Sequence, residues 1–511
     1  MKIKTLLLST LAVVMLLASC SQQEKETKKP NIIYILADDL GYGELGCYGQ
    51  ELIETPNIDA LAKNGIKFTD HYAGAPVCAP SRCVLLTGKH TGHAYVRGND
   101  EWRSRGKVWD YKAMIADSTL EGQRPMPADT KTVAKLLKTA GYRTGMVGKW
   151  GLGAPNTHSL PTTQGFDFFC GYNCQRQAHT YYPVHLYKNA NRIYLDNDTV
   201  APNTKLDKDA DPLNPESYTQ FNLNDYTPDV MFEEMVNFVK DSKEQPFFLY
   251  WATPIPHAPI QAPQKWVDYY VKKFGEEEPY LGQRGYFPHR YPRAGYAAMV
   301  SYMDERVGQL VQKLKDMGEY DNTLIIFTSD NGPTYNGGVD SQFFNSGGPF
   351  KSEYGWGKGF VHEGGIRVPM IASWPGKIRA GSQTNHASAF WDVLPTLCDV
   401  AGIEAPQDID GISYLPAMTG ASNQKQHDYL YWEFPAYKGQ QAVRIGKWKG
   451  IRKDIFEDNM EIELYNLEED IQEQNNIADQ NPEIVEQIKS VMLEAHTPAE
   501  IEKFQMKQLG D

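Results

Sequence analysis

The sequence predicts an α/β protein: a large, mostly parallel sheet sandwiched by helices, then a smaller C-terminal antiparallel sheet with a helix. Three observations carry this. Short apolar runs rich in β-branched and aromatic residues alternate with amphipathic helical patterns, the order a parallel sheet requires. Four of these runs, at residues 31–37, 142–148, 247–252 and 323–328, each hand a polar residue suited to catalysis to the loop just after the run. After Gly402 the pattern changes to alternating runs at 429–432, 442–450 and 461–467, with a polar helix over 482–494.

The elements follow in order. Lys2 and Lys4 precede an apolar stretch over 6–18, too short to span a bilayer as a stable anchor. It ends in Leu17-Ala18-Ser19-Cys20, which resembles a bacterial lipobox and implies cleavage before Cys20 and lipidation of it; an ordinary secretory signal is the alternative. Residues 1–19 are thus read as a lipoprotein signal peptide, 20–29 as a tether, 30–403 as the α/β domain and 404–511 as an α+β subdomain. No later run reaches the roughly 18 apolar residues of a spanning helix. The expectation is a soluble body held to the membrane by its lipid, at the periplasmic or outer face of the cell envelope.

Within the body, Thr55-Pro56-Asn57 starts a helix with Ile58, Leu61 and Ala62 on one face, stopped by Gly65. Pro80 suits a first helical position, so residues 81–87 form a helix ending at Gly88, with Cys78 at its N-terminus. Amphipathic patterns place further helices at 130–140, 229–241 and 296–317. Long polar, aromatic, Gly- and Pro-rich stretches at 98–127, 165–222 and 259–293 read as loops that build a pocket wall.

With 41% hydrophobic and 23% charged residues the chain is globular, and its 511 residues suffice for two or three domains. The net charge of −13 argues against nucleic acid as a partner, but leaves open a small anionic substrate in a locally basic pocket. Seven cysteines in this length are no disulfide scaffold; a Cys170–Cys174 bridge is left open.

The strand-end residues are Asp38-Asp39, Lys149, His257 within Pro254-Ile255-Pro256-His257-Ala258-Pro259, and Asp330-Asn331. In open α/β sheets, ligands bind outside the carboxyl ends of the strands. Paired carboxylates there repel one another unless a cation holds them; a solvated Asp-Asp turn and a plain Asn-Gly turn are the structural alternatives. Cys78, at a helix N-terminus that favours anions, reads from its position alone as a low-pKa thiol nucleophile.

Cys78-Ala79-Pro80-Ser81-Arg82 is a cysteine followed by x-Pro-Ser-Arg, and Gly357-Lys358-Gly359 precedes Glu363-Gly364-Gly365-Ile366-Arg367-Val368-Pro369. On these motifs the chain resembles the formylglycine-dependent type I sulfatases of the alkaline phosphatase superfamily. The resemblance runs from Asp38 to Pro369 and extends to the C-terminal sheet. It implies oxidation of Cys78 to formylglycine by a formylglycine-generating enzyme, and hydrolysis of a sulfate ester through the aldehyde hydrate. It implies Ca2+, with Mg2+ second, held by Asp38, Asp39, Asp330, Asn331 and residue 78, an all-oxygen set suited to a hard cation. Arg82 would stabilise the nucleophile, Lys149 and Lys358 would contact sulfuryl oxygens, and His257 would protonate the leaving oxygen.

One departure stands out. The family often has Gly-Lys-Trp-His-Leu-Gly after this strand, where this chain has Gly148-Lys149-Trp150-Gly151-Leu152-Gly153. Cys174-Gln175-Arg176-Gln177-Ala178-His179 offers His179 as a replacement base or substrate contact, with Arg176 beside it; Arg97 and Asn99 are candidate contacts to substrate hydroxyls. The resemblance to sulfatases of glycan-degrading bacteria points to a sulfated saccharide, galactose or N-acetylgalactosamine 4-sulfate, cleaved in exo fashion. A phosphonate or phosphodiester hydrolase of the same superfamily, and a surface lipoprotein that binds sulfated glycans without turnover, are the competing readings.

Overall fold

Seven consecutive buried residues, Asn31–Ala37, form the strand on which the main sheet is built. Their alternating side chains enter two different cores. Ile32, Tyr34 and Leu36 pack with the helices Cys78–Thr87, Val133–Thr139 and Val393–Ala401, while Ile33 and Ile35 pack with Thr227–Lys240 and Pro292–Asp316. The structure is a computed structural model and describes residues 28–511; the leader and the lipidation site expected at Cys20 lie outside the described residues. Among the described residues, no helix is long and apolar enough to cross a membrane.

The strands are β1 (Asn31–Ala37), β2 (Ile66–Tyr72), β3 (Arg143–Lys149), β4 (Phe168–Tyr172), β5 (His185–Lys188), β6 (Asn191–Tyr194), β7 (Phe247–Ala252), β8 (Thr323–Ser329), β9 (Arg367–Ser373), β10 (Ser382–Thr384) and β11 (Ser388–Ala389). They lie in the order β10-β2-β9-β8-β1-β7-β3-β4-β5-β6, with β11 beside β2. The central run β8-β1-β7-β3-β4 is parallel throughout. Antiparallel pairs flank it on both sides. A second sheet of β12 (Leu430–Phe434), β13 (Gln440–Ile445), β14 (Trp448–Lys453) and β15 (Glu463–Asn466) is antiparallel and carries the helix Pro482–Glu494.

The structure corrects some local expectations. The stretches at 165–222 and 259–293 are not all loop: β4, β5, β6 and the helix Gln264–Phe274 lie within them. These strands are short and sit toward one end of the sheet, so their apolar pattern is weak and their pairing is set by neighbours. The helix expected over 81–87 begins at Cys78 itself. The one expected over 130–140 is shortened to Val133–Thr139, because the Thr132 hydroxyl caps it by accepting from the Lys135 N–H at 3.2 Å. Cys170 and Cys174 are both free and buried.

One buried ion cluster ties the two sheets together. Lys449 of β14 lies 2.8 Å from Glu363 and 2.9 Å from Glu473, with all three side chains essentially inaccessible. Glu363 opens the short helix Glu363–Ile366 before β9. Lys449→Met is expected to destabilise the protein by about 3–5 kcal/mol, since it leaves the buried Glu473 without a cation, while Glu363 keeps Arg367 at 2.9 Å. Denaturant unfolding measures this; a loss below about 1 kcal/mol contradicts the reading.

Candidate active site

Because β8, β1, β7 and β3 are adjacent and parallel, their carboxyl ends stand side by side. Asp38 and Asp39 follow β1, Asp330 and Asn331 follow β8, Lys149 ends β3, and His257 lies five residues beyond β7. Two backbone bonds fasten the strand ends together: the Asp38 N–H donates to the Ile255 carbonyl and the Asp330 N–H to the Ala37 carbonyl, both at 3.0 Å. Asp39 adopts φ 68°, the left-handed region, which costs a non-glycine residue on the order of 1 kcal/mol. Its N–H donates to Asp330 Oδ1 at 3.1 Å. Gly148 is needed for this packing, since a Cβ there would meet the Ala252 carbonyl oxygen at 1.8 Å.

The acids and bases form one buried network. Arg82 donates through Nε and Nη2 to Asp330 Oδ2 at 3.1 and 2.9 Å, through Nη2 to Asp38 Oδ2 at 3.0 Å, and through Nη1 to the Lys149 carbonyl at 2.5 Å. Lys149 Nζ lies 2.5 Å from Asp38 Oδ2, and Lys358 Nζ lies 2.6 Å from Asp39 Oδ2. Asn331 Nδ2 donates to Asp39 Oδ1 at 2.8 Å. Lys358 is held by its own backbone: Tyr335 Oη donates to its carbonyl at 3.0 Å, and Gln440 of β13 donates to the Gly359 carbonyl at 2.9 Å.

Electrostatics divide the carboxylates. Burial alone would raise Asp38, but Lys149 and Arg82 outweigh it and hold the group well below the usual carboxylate range. Burial and repulsion from Asp38 push Asp330 up to about 7, against the pull of Arg82. Burial also raises Asp39, with Lys358 opposing. Burial raises the Cys78 thiol, partly offset by Lys149, so as an unmodified thiol it stays protonated at neutral pH.

The residues fit a hard divalent cation. Asp38 Oδ1 and Asn331 Oδ1 are buried acceptors with no hydrogen-bond partner among the described residues. Ligand atoms of Asp38, Cys78 and Asp330 lie within 4.8 Å of one another, as do those of Asp38, Asp39 and His257. The charge balance agrees: three carboxylates are matched by Arg82, Lys149 and Lys358, so a divalent ion leaves the surplus positive charge that an anionic substrate needs.

A cavity of about 350 Å³ opens over Cys78 and is lined by Asn99, Lys149, His179, His257 and Lys358 among others. His257 Nδ1 faces the Ala258 carbonyl at 2.6 Å, so Nδ1 carries the proton in the neutral ring and Nε2, 3.7 Å from Asp39 Oδ2, is the atom that exchanges one. Burial, then Lys358 and Lys149, push this imidazole well below its ordinary pKa. His179 stacks on it with ring centroids 5.5 Å apart, and burial, then His257, depress it likewise. Asn99 Oδ1 lies 4.0 Å from Cys78 Sγ and accepts the Ala79 N–H at 3.3 Å.

Two residues expected here are elsewhere. Arg97 is buried against Glu433 of β12 at 2.6 Å and the Thr497 carbonyl at 2.7 Å, and joins the C-terminal sheet to the main domain. Arg176 lies behind the cavity wall, paired with Glu101 and donating to the Leu120 carbonyl at 2.9 Å. Both guanidiniums find carboxylates from distant segments, which desolvates them away from substrate. The cavity lining also includes Glu101, Trp109, Gln175, Tyr286, Phe434, Tyr437 and Lys503, none of which had been singled out from the sequence. Gln175 had a visible signal, standing four residues before His179; Phe434, Tyr437 and Lys503 had none.

Comparison with known proteins gives a consistent picture. The family model described as Sulfatase matches residues 30–403, and one described as N-sulphoglucosamine sulphohydrolase, C-terminal, matches residues 352–497. The chain is 33% identical over 433 residues to N-acetylgalactosamine-6-sulfatase of Canis lupus familiaris, covering 82% of this chain and 71% of that protein. It is 28% identical over 555 residues to N-acetylgalactosamine-6-O-sulfatase of Bacteroides thetaiotaomicron, covering 96% and 99%. The crystal structure of Ps i-CgsB superposes with a TM-score of 0.70 at 29% identity, covering 91% of this chain and 92% of that one.

Proposed function

Because this chain belongs to the sulfatase family of sulfuric ester hydrolases, we propose that it removes sulfate from a saccharide, using formylglycine formed from Cys78 and a bound Ca2+. The observation that carries this reading is the convergence of Asp38, Asp39, Asp330, Arg82, Lys149 and Lys358 on Cys78 at a helix N-terminus. The relatives named for N-acetylgalactosamine 6-sulfate and N-acetylglucosamine 6-sulfate favour a sulfated N-acetylhexosamine, and a cavity of about 350 Å³ favours exo action on a terminal sugar. Export and anchoring through Cys20 at the cell envelope complete the proposal.

Asp38, Asp39, Asp330, Asn331 and residue 78 would hold the cation, which would lower the pKa of the attacking hydroxyl and polarise the sulfuryl oxygens. The formylglycine hydrate would supply that hydroxyl, and a second hydroxyl on the same carbon would later expel sulfate by carbon–oxygen cleavage. Arg82 holds Asp38 and Asp330 in place beneath it. Lys149 and Lys358, freed from part of the carboxylate charge, bind sulfuryl oxygens. His257 Nε2 faces the leaving oxygen; the substrate anion raises its pKa on binding, so that it delivers a proton as the bond to sulfur breaks.

Peptide mass spectrometry across Cys78 tests the modification: formylglycine lowers the residue mass by about 18 Da. Sulfate release from a panel of 4- and 6-sulfated galactose and N-acetylgalactosamine tests the activity. Active protein carrying only unmodified thiol would sink the formylglycine mechanism.

The cation reading predicts a pH-dependent stability. In the metal-free protein Asp330 titrates near 7 instead of near 3.8, so between these values the folded state holds a proton that the unfolded state has lost. Its contribution is therefore lost as pH rises through about 7, by on the order of a few kcal/mol. Chelated protein should melt lower at pH 8 than at pH 5.5, relative to Ca2+-loaded protein, because the ion replaces the proton. A Ca2+-induced rise in Tm that is the same at both pH values contradicts this.

A further inference from the structure

Gly151 and Gln175 compete for one volume. Gly151 has φ +73°, and a Cβ built there would lie 2.6 Å from Gln175 Nε2 and 2.8 Å from its Cγ. Gln175 is 4% exposed and lines the cavity over Cys78. Its Nε2 is buried and makes no hydrogen bond among the described residues.

The chain on either side is fixed. The Gln175 N–H donates to Gln123 Oε1 at 3.3 Å, and Gln123 Nε2 donates to Glu101 Oε2 at 2.9 Å. Glu101 is paired with Arg176, whose guanidinium sits over the Trp109 ring at 5.6 Å. Gln175, Glu101 and Trp109 thus belong to one connected patch of the lining. Of the cations that line the cavity, Lys149 and Lys358 are instead bound to Asp38 and Asp39, and Arg103 and Lys503 also line it. A buried amide nitrogen without a partner is costly; Nε2 is turned toward Gly151, and a rotation of the amide toward the cavity that Gln175 lines lets a ligand oxygen recover that cost.

We propose that Gln175 is a specificity-determining residue whose side-chain amide hydrogen-bonds a hydroxyl of the sugar, and that glycine at 151 is required to leave it room. The inference rests on the sulfatase reading and deepens it. An amide is donor and acceptor in one group, which matches a hydroxyl. A sulfuryl oxygen could accept from the same N–H, but Lys149 and Lys358 already supply that anion with charged donors, and only a hydroxyl uses both the donor and the acceptor of the amide.

The test is steady-state kinetics on formylglycine-carrying wild type, Gln175→Ala, Gln175→Leu and Gly151→Ala. The substrates are the sulfated monosaccharide that wild type hydrolyses and its monodeoxy analogues. Gln175→Ala and Gln175→Leu should each lower kcat/KM for the parent sugar by about 10–100-fold, with no further loss on the one analogue that lacks the contacted hydroxyl. Gly151→Ala should give the same pattern, because its methyl group displaces the amide. Thermal melting establishes that each variant is folded, and Leu fills the space that Ala leaves. An equal loss on the parent and on every analogue, or no loss on the parent, overturns the proposal. So does a loss matched by weaker inhibition by inorganic sulfate, which would place the amide on the sulfuryl group. If wild type releases sulfate from no saccharide, the sulfatase reading itself fails and takes this proposal with it.

Discussion

Cys78→Ser is expected to lower steady-state sulfate release by about 10⁴–10⁶-fold, the scale on which loss of a nucleophile acts. The side chain is buried at the first position of the helix Cys78–Thr87, so the near-isosteric serine should fold normally. Its hydroxyl keeps the place among Asp38, Asp330 and Lys149, and attack on sulfur stays open to it. What it lacks is a second hydroxyl on the carbon. Once sulfated, it cannot expel sulfate by carbon–oxygen cleavage and must await attack of water on an anionic sulfur. The expected signature is a single turnover and a chain heavier by about 80 Da, the mass of a covalently held sulfuryl group. Sustained turnover by the serine variant at a wild-type rate would refute the role given to position 78.

His257→Ala is expected to lower kcat/KM by about 10²–10⁴-fold on a sulfated sugar, whose alkoxide leaves poorly without a proton. On a nitrophenyl sulfate the loss should be far smaller, because that leaving oxygen is already stable as an anion. The geometry gives the reason: the Ala258 carbonyl holds Nδ1 at 2.6 Å and leaves Nε2 to exchange the proton. The contrast between leaving groups separates an acid from a packing residue. An equal loss on both substrates would assign His257 to packing beneath His179, on which it stacks.

Several site residues were legible because their signal is local. Asp38, Asp39, Lys149, His257 and Asp330 each follow an apolar run whose composition marks it as a buried strand, and that run sets where the next residue emerges. Lys358 was legible only by likeness of motif; nothing in Gly357-Lys358-Gly359 itself says that a tyrosine and a glutamine from elsewhere will hold the loop. Arg97 and Arg176 were misplaced because a guanidinium goes to the best carboxylate within reach. The partner of Arg97 is 336 residues away along the chain. β4, β5 and β6 escaped notice for a related reason: short strands toward the end of a sheet owe their form to the strand beside them, and their own pattern is too brief to announce it.

The α/β order, the residues at the strand ends and the cysteine motif are legible in the chain, since hydrophobic period and short motifs act over a few residues. That β8, β1, β7 and β3 are neighbours, so that their ends meet around Cys78, is visible in the folded chain alone. So is the supply of Phe434, at the end of β12, and Tyr437, in the turn to β13, to the cavity, and the filling of the space over Gly151 by Gln175. Those are packing outcomes. They depend on which surfaces of distant segments fit together and on which buried polar groups find partners, and no window of the sequence contains both halves of such a contact.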